Sequence, residues 1–147
     1  MRETVIYMVV AAVMIICTIA DIKKKEISIW LFVVLGIWTL IGCVICGEQR
    51  GYMIVAGIVP GILLIILSKV TDQSIGYGDG IILAEIGLIT GAGKCMLILA
   101  AALAMAGVFS LVLVVVKKVD KRYKIPFVPF MTAAYVAVLY LQKGGQI

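Results

Sequence analysis

Five stretches of the chain run without a charged side chain: Thr4–Ala20, Ile27–Gly47, Gly51–Ser68, Cys95–Val116 and Ile125–Gln142. Each is 17 to 22 residues long. A helix needs about 20 apolar residues to cross the hydrocarbon of a bilayer, so every stretch predicts a spanning helix. Leu, Ile, Val and Ala fill them with little of the alternation that marks a barrel strand. Between Ser68 and Lys94 the pattern is weaker, because Gly80–Gly93 is apolar but short and holds Glu85. It predicts one more helix, beginning near Gln73–Gly78. The expected fold is all-α: a polytopic integral membrane protein of about six transmembrane helices, forming one membrane-embedded domain over residues 1–147.

Composition points the same way. Of the 147 residues 64% are hydrophobic and 14% charged, with a mean hydropathy of +1.21. Soluble domains hold about 45–50% apolar and about 25% charged residues, so a soluble enzyme and a disordered chain are both excluded. The net charge of +5 reads as positive cytoplasmic loops and calls for no nucleic-acid partner. With the loop after the first span inside, the cytoplasmic face carries Lys23, Lys24, Lys25, Lys69, Lys117, Lys118, Lys121, Arg122 and Lys124. Arg2, Arg50, Lys94 and Lys143 fall outside. This asymmetry needs an even number of spans between the first and third basic loops, which supports the sixth helix, and it puts both termini outside. The first segment is expected to stay: a lone Arg beside a Glu precedes it, and Asp21–Lys25 stands where a cleavage site would lie. Small residues such as Gly57, Gly61, Gly87, Gly91, Ala100–Ala102, Ala104, Ala106 and Gly107 predict close helix packing.

The chain has no histidine. Chemistry must therefore run on carboxylates, cysteines, serines or lysines. Cys17, Cys43, Cys46 and Cys95 lie in or beside apolar runs and read as packing residues; Cys43 and Cys46 form a single CxxC, too few ligands for a structural zinc site. Carboxylates at membrane depth are costly, which marks Asp21, Asp79 and Glu85. Asp72, Asp120, Glu26, Glu3 and Glu48 read as solvated loop or interface charges. Asp21 closes the first span and Asp79 opens the fourth, so counting places both on one membrane face at similar depth. Gly76, Gly78 and Gly80 flank Asp79, removing side-chain bulk and permitting φ > 0 or the approach of a substrate backbone. The plainer reading of those glycines is a turn in which Asp79 caps the next helix. Glu85, about 120° around the helix from Asp79, is expected to make polar contacts between helices or line a wet cavity.

Two neighbouring carboxylates can cleave a peptide bond without metal. They cannot both ionise easily, so they share a proton; one takes a proton from the attacking water while the other hydrogen-bonds the scissile carbonyl and helps protonate the leaving amine. Gly76-Tyr77-Gly78-Asp79 resembles the GxGD motif of membrane aspartic proteases. Together with Asp21-Ile-Lys-Lys-Lys-Glu-Ile27 and Ile125-Pro-Phe-Val-Pro-Phe130, it resembles the type IV prepilin leader peptidase family, from Asp21 to about Ala134. Ser28-Ile29 and Gly80-Ile81 depart from the residues that commonly follow each aspartate there. The resemblance implies a peptidase-only form, without the methyltransferase region and its S-adenosylmethionine site. Asp21 and Asp79 would be catalytic, with Gly76, Gly78 and Gly80 binding substrate and no metal or cofactor. Its substrates would be prepilin-like proteins with a hydrophobic amino-terminal helix, cut at the cytoplasmic face of the cytoplasmic membrane. The alternative is a small polytopic transporter, or a pilus or secretion assembly subunit, in which the two aspartates hold a cation or proton. A presenilin-like protease is disfavoured by size and by a missing motif. The lysine clusters read as topology anchors in contact with membrane lipid.

Overall fold

A computed structural model describes residues 2–24, 29–46, 51–70, 76–117 and 126–145. Outside these lie residues 25–28 of the first motif, Ile75, Ile125, the basic loop over 118–124, and the expected loop charges Glu48, Arg50, Asp72 and Asp120. The described chain is helical, with no strand among the described residues: α1 (Arg2–Lys24), α2 (Ile29–Cys46), α3 (Gly51–Val70), α4 (Tyr77–Lys117) and α5 (Val128–Lys143).

Five helices stand where the apolar runs predicted six, because α4 absorbs two of the predicted segments. It is not straight. Gly91 takes φ 76 and ψ 169, which breaks the helix into 77–90 and 92–117. Beyond the break, the Cys95 thiol faces the Leu83 carbonyl oxygen at 3.6 Å. In a straight helix twelve residues rise about 18 Å. The chain therefore folds back on itself at Gly91, a left-handed backbone position that glycine adopts without strain.

Pairwise contacts give the directions. The Cys43 thiol donates to the Leu88 carbonyl at 3.1 Å, and Gly36 lies against Glu85, so α2 runs parallel to 77–90. Gly57 meets Gly87, Gly61 meets Ala84 and Gly80 meets Ile65, so α3 runs antiparallel to it. Ile6 of α1 sits against Gly42 of α2, which makes that pair antiparallel as well. Across α1 and α5, the Thr18 and Thr132 hydroxyls are 2.8 Å apart and the Tyr135 hydroxyl donates to Tyr7 O at 3.4 Å. Phe109 and Phe130, with ring centroids 5.4 Å apart, join the end of 92–117 to the start of α5.

The segment 77–90 is the centre of the bundle. Ile82, Leu83, Ile86 and Ile89 are buried along one side of it and share one hydrophobic core with Val10, Met14 and Cys17 of α1. A Cβ on Gly61 would lie 2.5 Å from the Cβ and N of Ala84, and one on Gly57 would overlap the Gly87 carbonyl. Small residues therefore bring α3 and 77–90 into backbone contact, as predicted. At Gly107 the expectation fails: a Cβ there would meet nothing within 4 Å among the described residues, and Ala100 and Ala104 face outward. Large apolar side chains stay exposed on every helix, including Met8, Trp30, Val55, Leu111 and Tyr140. Two stretches, Thr4–Lys23 and Tyr77–Leu113, are long and apolar enough to cross a membrane; Ile29–Val44, Val55–Val70 and Val128–Gln142 are shorter apolar helices.

Candidate functional site

Asp79 sits in the first turn of α4. Its backbone N–H donates to Gly76 O at 3.1 Å, and its carboxylate turns back over Gly76, whose own N–H faces it. Gly76 thus caps the helix and Asp79 is its third residue, the position from which an acidic side chain satisfies the cap N–H. This differs from the plainer sequence reading, in which Asp79 itself was the cap. The carboxylate also lies at the positive end of the α4 dipole. Asp79 is 7% exposed.

The glycines around it do different jobs. None of Gly76, Gly78 and Gly80 adopts positive φ; among the described residues Gly91 and Gly145 do. The freedom of backbone conformation expected beside Asp79 is used instead at the α4 break. Gly80 is buried against α3, where an added Cβ would lie 2.5 Å from Ile65 Cγ1 and 3.0 Å from Gly61 O. It fits the helix crossing and leaves no room for a substrate. Gly76 is exposed, and a Cβ there would come within 3.2 Å of Asp79 Oδ2. A bare backbone at 76 therefore keeps one side of the carboxylate uncrowded. Gly78 is half-buried in the same first turn.

Asp21 comes from the last turn of α1, half-buried, and faces the backbone N–H of Val128. Helix α5 begins there with Phe127 at its N-cap, a residue with no side-chain acceptor, and a proline within its first two positions. The first N–H groups of a helix have no partner of their own. A carboxylate delivered by a different helix thus meets the donor end of α5. This role of Val128 was not read from the sequence; the signal was a proline-started helix with no Ser, Thr, Asp or Asn to cap it. Asp21 Oδ2 is enclosed and has no hydrogen-bond partner among the described residues.

Asp21 and Asp79 lie within electrostatic reach of each other, at the end of the bundle where α1 stops and α4 and α5 start. The structure brings together the two residues that the sequence singled out from segments 58 positions apart. Lys23 is exposed next to this end. Glu85 lies deeper. Its Oε1 would be 3.0 Å from a Cβ on Gly36 of α2, its Oε2 is enclosed without a hydrogen-bond partner among the described residues, and Cys17 is within electrostatic reach of both Glu85 and Asp21. The expected contact of Glu85 with another helix is thus to the bare backbone of Gly36. Cys43 is spent on the Leu88 carbonyl at the far end of α2, and the Cys46 side chain lies outside the described residues. No cluster of three or more His, Cys, Asp or Glu suited to a metal occurs among the described residues.

Two carboxylates, each against a helix start and within electrostatic reach of one another at one end of an apolar bundle, can divide the work of acid and base on a molecule placed between them. Comparison with family models, with curated proteins and with solved structures returns no match to this chain.

Proposed function

We propose that this chain is a polytopic membrane aspartic endopeptidase that removes leader peptides from type IV prepilin-like substrates at the cytoplasmic membrane face. The observation that carries the reading is the placement of Asp21 and Asp79 within electrostatic reach at one end of the bundle, from helices far apart in sequence. The resemblance of Asp21–Ile27, Gly76–Asp79 and Ile125–Phe130 to the prepilin leader peptidase family supplies the substrate class. The exposed apolar surface supports a lipid environment, since patches of this extent on a soluble protein cause aggregation. The six alternating helical segments, counting α4 as two, are then the transmembrane helices. Their basic ends at Lys23 and Lys69 face the cytoplasm, following the positive-inside rule.

The chemistry follows from the pair. One aspartate, ionised, takes a proton from a water molecule as its oxygen attacks the scissile carbonyl. The other, protonated, donates a hydrogen bond to the carbonyl oxygen. As the C–N bond breaks, a proton passes to the leaving amine, and the site returns to one shared proton. Gly76 leaves space for an extended peptide beside the Asp79 carboxylate.

A second reading has an observation of its own. Glu85 is a third carboxylate, six residues deeper than Asp79, or about 9 Å further into the bundle. A line of carboxylates leading inward suits a transporter of protons or cations. The two readings part at the substrate. Co-expression with a prepilin-like precursor from a neighbouring locus should convert it to a form smaller by the length of its leader. A precursor that keeps its full length beside well-expressed, inserted protein argues for transport instead.

A further inference from the structure

A groove of about 620 Å³ runs down the outside of the bundle between α1 and α5. On α5 it is lined by Pro129, Ala133 and Ala137, one residue per turn, and on α1 by Ile15, Thr18 and Ile19. We propose that this groove is the docking site for the apolar helix of the protein substrate, which lies parallel to α5 with its amino-terminal end at Asp21. The inference rests on the peptidase reading above and adds where the substrate is held.

Continuity with the aspartates identifies the occupant. Thr18 is one turn from Asp21 on α1, and Pro129 follows Val128, whose N–H faces the Asp21 carboxylate. The groove therefore ends within one helical turn of Asp21. Its track on α5 extends from Pro129 to Tyr140, about 16 Å, or three turns of a helix. A peptide bond cut just before an apolar helix would leave that helix to continue down this track.

The lining suits a helix better than a lipid chain. Ala133 and Ala137, four residues apart and both exposed, present methyl groups, which let a second helix backbone come close. Half-exposed Ile15 and Ile19 form one rim, and Tyr140 stands exposed at the far end. The floor holds the Thr18 and Thr132 hydroxyls, 2.8 Å apart, and Thr132 also donates to Val128 O at 2.9 Å. With these hydroxyls satisfied internally, an apolar helix can cover them at little cost. A second apolar groove among the described residues, between α3 and 92–117, is walled by Leu63, Leu67, Leu99 and Leu103 and offers no such track of small residues.

The test uses the full chain in liposomes with the prepilin-like precursor. Ala133→Leu combined with Ala137→Leu fills the track with side chains that already face outward, so insertion is preserved. Cleavage should slow on the order of tenfold. Ala104→Leu, exposed on the 92–117 segment, should cleave as wild type does. In an Asp79→Asn background, a benzophenone side chain at 133 should cross-link the precursor nearer the scissile bond than one at 137. Undiminished cleavage by the double leucine variant, or cross-links to lipid alone, overturns the groove while leaving the peptidase reading in place. A wild-type protein that cleaves nothing refutes the peptidase reading, and the groove assignment falls with it.

Discussion

Replacing Gly61 by alanine would place a methyl group 2.5 Å from both Cβ and N of Ala84, about 0.9 Å short of the 3.4 Å at which ordinary contact begins. Two of the three crowding atoms, Ala84 N and Cα, belong to the backbone, so no side-chain rotation relieves them. Helix α3 and the segment 77–90 must separate. Overpacking of this kind costs about 1–3 kcal/mol, against a gain of about 0.5–1 kcal/mol for alanine over glycine inside a helix. Gly61→Ala should therefore destabilise the fold by about 1–2 kcal/mol. Gly93 is the matched comparison: it is helical, it lacks positive φ, and a Cβ there meets nothing within 4 Å among the described residues. The same substitution at 93 should stabilise by about 0.5–1 kcal/mol. Unfolding of both purified variants by added denaturing detergent, followed by circular dichroism, reads the opposite signs. Ala84→Gly should rescue Gly61→Ala only in part, since it removes one crowding atom of three. Gly61→Ala proving as stable as Gly93→Ala would refute the close crossing of α3 on the helix that carries Asp79.

Three further outcomes follow. Gly78→Val adds a stiff, branched side chain in the first turn beside Asp79, so precursor cleavage should be lost with insertion intact, and Gly78→Ala should be intermediate; a cation transporter would tolerate both, and full cleavage by Gly78→Val would leave the glycine without a substrate role. Cleavage should persist in EDTA and without S-adenosylmethionine, as checked by mobility shift of the precursor; loss restored by zinc would reopen Cys43 and Cys46. Thr132→Val removes a hydroxyl that bonds both Thr18 and Val128 O, and should cost about 0.6–2 kcal/mol in the same detergent titration, with no loss there arguing against the α1–α5 seam.

Much of this architecture is visible in the apolar runs, because a run of such length has few conformations open to it other than a helix. The ends of α1, α2, α3 and α5 fall within about four residues of the charge-free stretches, as element boundaries generally do. The break in α4 was harder to read. Charge counting set the boundary at Lys94, yet the chain turns at Gly91, since backbone conformation decides a turn and only glycine takes φ 76 freely. Asp21 and Asp79 were legible as residues of one end of the bundle because direction alternates from helix to helix. Their surroundings were not. That Val128 N–H faces Asp21, that Gly80 is taken up by α3, and that Glu85 rests on Gly36 all depend on which helices are neighbours. Periodicity within a single helix carries no such information.

The central claim is that Asp21 and Asp79 act as one unit on a peptide bond. Its most direct measurement is the cleavage rate of a prepilin-like precursor by purified, liposome-reconstituted protein, for wild type, Asp21→Asn, Asp79→Asn and the double variant. Asparagine keeps the volume and removes the ionisable group. Residues that work as a unit are non-additive, so each single variant should lose cleavage as completely as the double, by about a thousandfold or more. Near wild-type cleavage by either single variant, or losses that simply multiply in the double, would contradict the paired mechanism.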